Sequence, residues 1–435
     1  MFMHRPPKSR WLAAAVLLAT ATLAGPISRA DDVTQWTAIG ASTFAAKGAN
    51  GSIYGAILQT AVYDAVNAID GRHRTYAIIP TQTPTWGASQ RAAAVAAGYY
   101  TLIGLWPDQQ PALAPVFAAS LAAIGGGDAT DRGVAIGQEV ANANLALRSN
   151  DGRTASITYV FGPVVPGEYQ RTVPYPPSGQ PVINPALGLV RPFAIDSPSQ
   201  FRPDGPPTLD SEEYAEDYNE TKVMGASVSP LRSDAQTEIA RFHTENPTLF
   251  WGRNLSNFVA SRNLSIADSA RLSAMIWVAQ ADAIIGCVDA KYHFRAWRPF
   301  TAIRAGDTDG NAATVGDPAW LPLANTPPHP EYPSAHGCVT GAVVGSMRAF
   351  FGTKKLSFAF NSTVTGQTHS YTQVGQLASE VSDARVFGGM HFRFANEDGL
   401  QLGRQVAKLV TRHYFKSVDD DDDDRDDSGR GRHDD

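Results

Sequence analysis

The sequence predicts an all-α fold made of helical bundles, and three observations carry that reading. Seven stretches repeat apolar residues at helical spacing between plausible start and stop signals. Many of these carry Ala or Gly at facing positions, which lets helices approach closely. Hydrophobic residues make up 43% of 435, ample for a buried core and too many for a disordered chain. The length allows one large domain as readily as two or three smaller ones.

Taken in order, residues 54–70 (YGAILQTAVYDAVNAID) are Ala-rich and stop at Gly71, a good C-cap residue. The stretches 90–106 and 133–148 read the same way. From 153 to 210 the periodicity lapses into a Pro/Gly-rich excursion (Pro163, Pro166, Pro174, Pro176, Pro177, Pro203, Pro206, Pro207), with a short hairpin expected at 156–161. An irregular segment of this length often shapes the entrance to a site. Ser265 and Asp268 fit a capping box that opens an apolar helix running to about Lys291. Further helices fit 337–351, ending at Gly352, then 375–387 and 396–414. No internal repeat is visible.

The termini differ from the rest. Arg5, Lys8 and Arg10 precede a short apolar run at 11–23, and Ser28-Arg29-Ala30 offers small residues for cleavage. Residues 1–30 therefore read as a signal peptide, and a secreted or periplasmic location is expected for the remainder. The run is too short for a transmembrane anchor. The most apolar later stretch, 274–288, contains Asp282, so no membrane span is expected after signal removal. Residues 419–435 hold ten Asp and three Arg, a net of −7 out of the chain's −6, and read as a disordered acidic tail. The balance of +1 over everything before it excludes a basic footprint for nucleic acid. Two cysteines cannot build a disulfide scaffold or a four-thiolate zinc site. The domain expected between the termini is 31–418.

Three segments within about 265–415 carry the chemistry: Lys291-Tyr-His-Phe-Arg-Ala-Trp-Arg298-Pro299, Pro333-Ser334-Ala335-His336-Gly337 and Arg385-Val-Phe-Gly-Gly-Met-His391. Together they supply what a tetrahedral oxyanion requires. Lys291, Arg298 and Arg385 are cations, and the two guanidinium forks can meet oxygens bidentately. Ser334 adds a hydroxyl in front of a helix whose first amides point at anions. His336 and His391 remain for covalent or proton chemistry.

The pattern Lys-x6-Arg-Pro, Pro-Ser-[small]-His, Arg-x5-His resembles the vanadium-dependent haloperoxidase and type 2 phosphatidic acid phosphatase superfamily. Segments 62–70, 289–293, 297–304 and 391–394 are similar to its soluble bacterial haloperoxidase-like branch, and the likeness covers most of 35–415. The resemblance implies a pair of helical bundles with the site at one bundle's end. It implies that Lys291, Arg298, Ser334, Ala335 (through its amide), His336 and Arg385 surround a vanadate cofactor. By the same resemblance His391 bonds vanadium or attacks phosphorus, His336 is the acid–base residue and Lys291 polarises peroxide. Phosphate, similar in shape and charge, would compete for the same cage.

Three functions follow from the resemblance. The first is oxidation of halide by hydrogen peroxide, with an organic acceptor for the oxidised halogen. The second is acid phosphatase action on a phosphoester through a phosphohistidine. The third is non-catalytic binding of oxyanions by an exported protein. The departures bear on the choice. Ala335 stands where Gly is usual and Ala384 where Ser is usual. Ala395 stands where phosphatase members place the Asp that orients the nucleophilic His, which favours the peroxidase; Asn396, Glu397 or a backbone carbonyl are the substitutes in reach. His329 stands where bromide-oxidising members carry His, which points to bromide or iodide. Glu331 is either behind the site or exposed. His293, Arg295 and Trp297 read as rim or packing residues and Arg393 as a structural ion-pair partner. Cys287 and Cys338 fall near each other if the motifs converge, where an exported protein permits a disulfide.

Overall fold

Asp64 and Asp282, carboxylates on two long apolar helices, show how this chain holds its irregular segments. Each accepts three consecutive backbone amides. Asp64 takes those of Tyr76, Ala77 and Ile78 at 2.7 to 3.0 Å, and Asp282 those of Phe193, Ala194 and Ile195 at 2.7 to 2.9 Å. Burial raises both carboxyls, Asp64 to about 7 and Asp282 to about 6, against the lowering effect of those bonds. The charge that breaks the apolar run 274–288 is thus the clamp that fixes the end of the excursion to the core.

The computed structural model describes residues 31–172, 182 and 185–421. The signal-peptide segment 1–30 and the acidic tail beyond 421 lie outside the described residues. Among those described there are thirteen α-helices: α1 (Asp32–Ala46), α2 (Gly51–Asp70), α3 (Gln90–Leu105), α4 (Gln110–Ile124), α5 (Asp128–Leu147), α6 (Glu212–Met224), α7 (Asp234–Phe242), α8 (Pro247–Ala260), α9 (Ile266–Phe294), α10 (Pro299–Arg304), α11 (Ala335–Phe351), α12 (Val374–Phe387) and α13 (Arg393–His413). An antiparallel ribbon, β1 (Phe358–Asn361) with β2 (Thr368–Tyr371), pairs Phe358 with Tyr371 and Asn361 with Thr368.

Two large apolar cores result, with two smaller clusters beside them. One is filled by α1 to α5, through residues such as Trp36, Val62, Ala93 and Ile136. The other is filled by α8, α9, α11, α12 and α13, through Phe258, Trp277, Ile285, Val343 and Val406. Helix α2 serves both, with Ile53 and Ile57 facing the second core and Leu58 and Val62 the first. Among the described residues α9 alone is long and apolar enough to cross a membrane, and 89% of that stretch is buried inside the protein as core.

Local signals explain the helix ends. Gly71 and Gly352 cap α2 and α11 in the left-handed region, at φ 73° and 64°. The capping box at Ser265 is half realised: its hydroxyl oxygen accepts the Asp268 amide at 3.1 Å, but the Asp268 carboxylate takes the Ser265 hydroxyl rather than its amide. Helix α11 begins two residues earlier than expected, because Ser334 is its N-cap, and α13 begins at Arg393 rather than Asn396. No strand forms at 156–161, so the expected hairpin is absent. Tyr159 and Phe161 instead group with Tyr169 and Tyr292 at the end of α9, ring against ring at 5.0 to 6.0 Å, which draws the segment inward. The excursion is pinned again where Tyr169 donates its amide to the Arg295 carbonyl and Trp297 donates to Gly167.

Helices α11 and α13 meet backbone to backbone. A Cβ at Gly403 would lie 2.0 Å from the Cys338 carbonyl oxygen, and one at Gly341 would lie 2.3 Å from that of Leu400. Gly403→Val should therefore push the helices apart and cost about 1–3 kcal/mol. A thermal melt lowered by several degrees, with the helical circular dichroism of the native protein retained, is the expected result.

Candidate active site

Five elements deliver the polar residues to one end of the second bundle. Lys291 is in the last turn of α9, and Arg298 is the N-cap of α10. Ser334, Ala335 and His336 open α11, Arg385 closes α12, and His391 lies in the turn before α13. That turn explains the Arg-x5-His spacing. Gly388 and Gly389 fold the chain back so that the amides of Met390 and His391 return to the Arg385 carbonyl, at 3.0 and 3.4 Å. Gly389 does this at φ 70°, with the Gly225 carbonyl 2.5 Å from where a Cβ would be.

The side chains interlock. His391 Nδ1 donates to Glu331 Oε1 at 2.9 Å, and the same oxygen accepts the Phe392 amide at 3.1 Å. This leaves the lone pair of His391 on Nε2, where Arg298 Nη1 donates at 3.0 Å. Arg298 also donates to the Met390 carbonyl, the His329 carbonyl and His329 Nδ1, each at 2.8 Å. Lys291 Nζ donates to the carbonyls of Pro330 and Glu331 at 3.1 and 2.9 Å, which uses two of its three protons. Arg385 donates to the His243 carbonyl at 3.2 Å and to the Met390 sulfur at 2.9 Å, and its buried Nε has no partner among the described residues. The Ser334 oxygen accepts the Gly337 amide at 3.4 Å, and the amides of Ala335 and His336 have no acceptor among the described residues. Above the group lies a cavity of about 730 Å³, lined by Lys291, Ala335, His336, Arg385, His391 and His329, with Trp251, Trp277, Ile284 and Val288 as an apolar wall.

The electrostatics are lopsided. Lys291, Arg298, Arg385, His391 and Glu331 are each exposed by 2% or less. Burial pulls Lys291 down to about 8, Arg385 to about 9 and Arg298 to about 10, with Arg298 adding to the depression of both others. Burial lifts Glu331 to about 7, against the pull of Arg298 and Lys291, and its Oε2 has no partner among the described residues. Burial and the neighbouring cations hold His329, His336 and His391 well below the ordinary imidazole value. Three buried cations beside one carboxylate leave a surplus of positive charge that a multiply charged anion would offset, with Lys291 and Arg385 lining the cavity and Arg298 and Ser334 behind its wall. The orphaned Arg385 Nε and the unpaired amides at the start of α11 supply directed donors to it.

Several sequence-level readings change here. The partner of His391 is none of Asn396, Glu397 or a backbone carbonyl. It is Glu331, sixty residues earlier, while Asn396 donates to the Phe392 carbonyl. His293 is exposed, Arg295 pairs with Glu168, and Trp297 is buried among aromatic residues, so none of the three lines the cavity. Arg393 forks onto Glu220 and Asp383. Cys287 and Cys338 are both buried and not bridged, and the Cys287 thiol donates to the Pro333 carbonyl at 3.6 Å. The sequence reading missed His243, which lines the cavity; a solitary His outside any motif gives no signal.

The helical architecture, with its group of buried polar residues at one end of the second core, has known counterparts: this chain has the fold of the vanadium haloperoxidases. Residues 271–420 match the family described as the VCPO second helical-bundle domain. Over 103 residues the chain is 37% identical to the vanadium chloroperoxidase of Curvularia inaequalis, a stretch amounting to 21% of this chain and only 16% of that protein. Among solved structures, the first bacterial vanadium-dependent iodoperoxidase superposes with a TM-score of 0.73 at 23% identity, covering 89% of this chain and 97% of the other. An apo-type bacterial vanadium-dependent chloroperoxidase superposes with a TM-score of 0.66 at 18% identity, covering 82% and 91%.

The cage sets a pH signature. Below pH 8 all three cations are charged, folded or unfolded, and the full penalty for burying them is present. As pH rises through 8, Lys291 loses its proton in the folded state before it would in the unfolded one, so that part of the penalty is relieved and an anion loses part of its attraction, while the two guanidiniums stay charged. Vanadate or phosphate at about 100 times its Kd should add about 2.7 kcal/mol at pH 7.5. Thermal-shift measurements should register that gain at pH 7.5 and a much smaller one at pH 10; equal gains at both would show that the anion binds elsewhere.

Proposed function

We propose that this protein is an exported, vanadate-dependent haloperoxidase that uses hydrogen peroxide to oxidise bromide or iodide. The observation that carries the reading is the surplus of buried positive charge beside an imidazole whose Nε2 lone pair faces it. Lys291, Arg298, Ser334, Arg385 and the Ala335 amide would hold the oxygens of vanadate, and His391 Nε2 its vanadium. Bound there, vanadate supplies a Lewis acid that activates peroxide without changing its own oxidation state.

The remaining work falls to this chain's side chains. Glu331 fixes the tautomer of His391. The third proton of Lys291 has no partner among the described residues and could bond an oxygen in the cavity. His336 has no hydrogen-bond partner among the described residues and a depressed basicity, so it is neutral at pH 7 and ready to take a proton from incoming peroxide. The apolar wall of Trp251, Trp277, Ile284 and Val288 excludes water and leaves room for an organic acceptor. His329, bonded to Arg298, faces the same cavity and supports the bromide or iodide assignment. Export rests on the residue pattern of 1–30.

A phosphatase is the second reading, and the His391–Glu331 pair favours it, because a carboxylate on Nδ1 is what a nucleophilic imidazole needs. Purified protein should brominate or iodinate an acceptor only when vanadate and peroxide are both present, and should leave a chromogenic phosphomonoester intact. Hydrolysis without peroxide, inhibited by vanadate, would establish the phosphatase instead; anion binding with neither product would leave a binding protein. His391→Ala should abolish both vanadate retention and turnover in a peroxidase, whereas a binding protein should lose only part of its oxyanion affinity, since the cations remain. Glu331→Ala should lower activity or vanadate affinity about 10- to 100-fold, read by steady-state kinetics and anion titration.

A further inference from the structure

Among the described residues, two cavity-lining side chains carry a buried polar atom without a hydrogen-bond partner. Arg385 Nε is one, beside the other buried cations. The second is Nε2 of Gln280, a wholly buried residue of α9. Gln280 precedes Lys291 by eleven residues. At about 3.6 residues per turn that interval returns to nearly the same helix face, about 16 Å further along. Ile284 and Val288 fill it, so one stripe of α9 runs along the cavity from an amide, over apolar side chains, to the ammonium.

The amide is held in place. Ser52 Oγ, in the first turn of α2, donates to Gln280 Oε1 at 3.3 Å, which fixes the oxygen as the bonded end and leaves the protons of Nε2 unused. The start of α2 comes this close because it is bare where it meets the wall. A Cβ at Gly55 would lie 2.2 Å from Trp277 Cε3, and one at Gly51 would lie 2.6 Å from Thr248 Oγ1. Trp277, one turn before Gln280, and Trp251 of α8 give the same cavity flat apolar surface. An amide buried without a partner destabilises the folded protein, so its retention needs a reason. A ligand atom that accepts from it supplies one, and such a bond discriminates sharply against analogues lacking that atom.

We propose that Gln280 selects the organic acceptor, donating to a carbonyl oxygen at one end of a planar aromatic phenol whose electron-rich end points to the buried cations. The reaction rests on the haloperoxidase reading; the binding rests on the cavity alone. Each part of the stripe fixes one property of the acceptor. The Nε2 protons call for an oxygen that accepts, and the indoles and aliphatic side chains call for a flat apolar body. The separation of about 16 Å between amide and ammonium leaves room for two fused rings beside a bound tetrahedral anion. An electron-rich ring is needed because the oxidised halogen is an electrophile. In turnover a ring carbon takes that halogen: the C–X bond forms, the X–O and C–H bonds break, and the proton leaves with hydroxide as water, HOX + Ar–H giving Ar–X + H2O.

The test compares umbelliferone, a two-ring phenol with a lactone carbonyl, with β-naphthol, a two-ring phenol without one. Isothermal titration calorimetry on the full-length, vanadate-free protein gives the ratio of the two affinities. Gln280→Met keeps the length of the side chain and removes its donors, and it should shift that ratio about tenfold against umbelliferone. Ser52→Ala, which frees the amide to turn over, should shift it in the same direction by a smaller factor. Without ligand, Gln280→Met should melt above wild type, because an unpaired buried donor is gone. With vanadate, peroxide and bromide, wild type should brominate umbelliferone in a ratio of isomers unlike that from free hypobromous acid, and Gln280→Met should move towards the free-acid ratio. An affinity ratio that Gln280→Met changes by less than twofold would overturn the proposal. So would a melt lowered by Gln280→Met, the mark of an amide already satisfied by a structural partner. A carbonyl preference that depends on Gln280 in a protein that never oxidises halide would remove the haloperoxidase reading and leave the binding site standing.

Discussion

Everything at this site follows from burying three cations next to a single carboxylate. Lys291, Arg298 and Arg385 are almost wholly buried, and Glu331 is itself pushed towards its neutral form. The protein accommodates the excess by surrounding Lys291 and Arg298 with backbone carbonyls, from Pro330, Glu331, His329 and Met390, whose dipoles are fixed by the fold. Arg385 is left least satisfied, with an orphaned Nε and a sulfur for a partner. The fold has already oriented these donors, but Arg298 spends Nη1 on His391 Nε2, so an anion that reaches that nitrogen must displace the guanidinium from it. The cost falls on the folded state, and the two packed cores supply the stability that bears it.

The backbone exists to keep that cage in register. The α11–α13 contact, tight enough to exclude a Cβ, places the Ser334 cap and the first amides of α11 against the start of α13. The turn at Gly388 and Gly389 folds His391 back under Arg385, so a cation and an imidazole six residues apart face one space. The segment 329–331 serves three residues at once: its carbonyls receive Lys291 and Arg298, and its one carboxylate orients His391.

What the sequence made legible was local or chemically distinctive. Gly71 and Gly352 end helices because a left-handed residue is needed there, and the cationic motifs announce an oxyanion because few other ligands need so many donors. Helices whose apolar face is weak were not legible. Helix α6 (EEYAEDYNETKVM) buries chiefly two tyrosines, α4 is apolar all round and contains Pro115, and α7 has only nine residues. The partner of His391 was sought in the helix that follows it, where Ala395 is silent, whereas tertiary packing brings Glu331 from another segment. His243 gained a place at the site only when packing brought the end of α7 to the cavity, since nothing in its sequence neighbourhood distinguishes it from an ordinary packing residue.

The excursion is fastened at two places to the same long helix and its exit: by Gly167 and Tyr169 at residues 295–297, and by the Asp282 clamp at 193–195. Leu187, carried between those fastenings, reaches the cavity wall. The stretch between the fastenings is itself seated on that helix: a Cβ at Gly188 would lie 2.7 Å from the amide nitrogen of Asp289, two residues before Lys291. The wall that Leu187 supplies and the ammonium of Lys291 therefore ride on one rigid rod, and a shift of that rod would move both together.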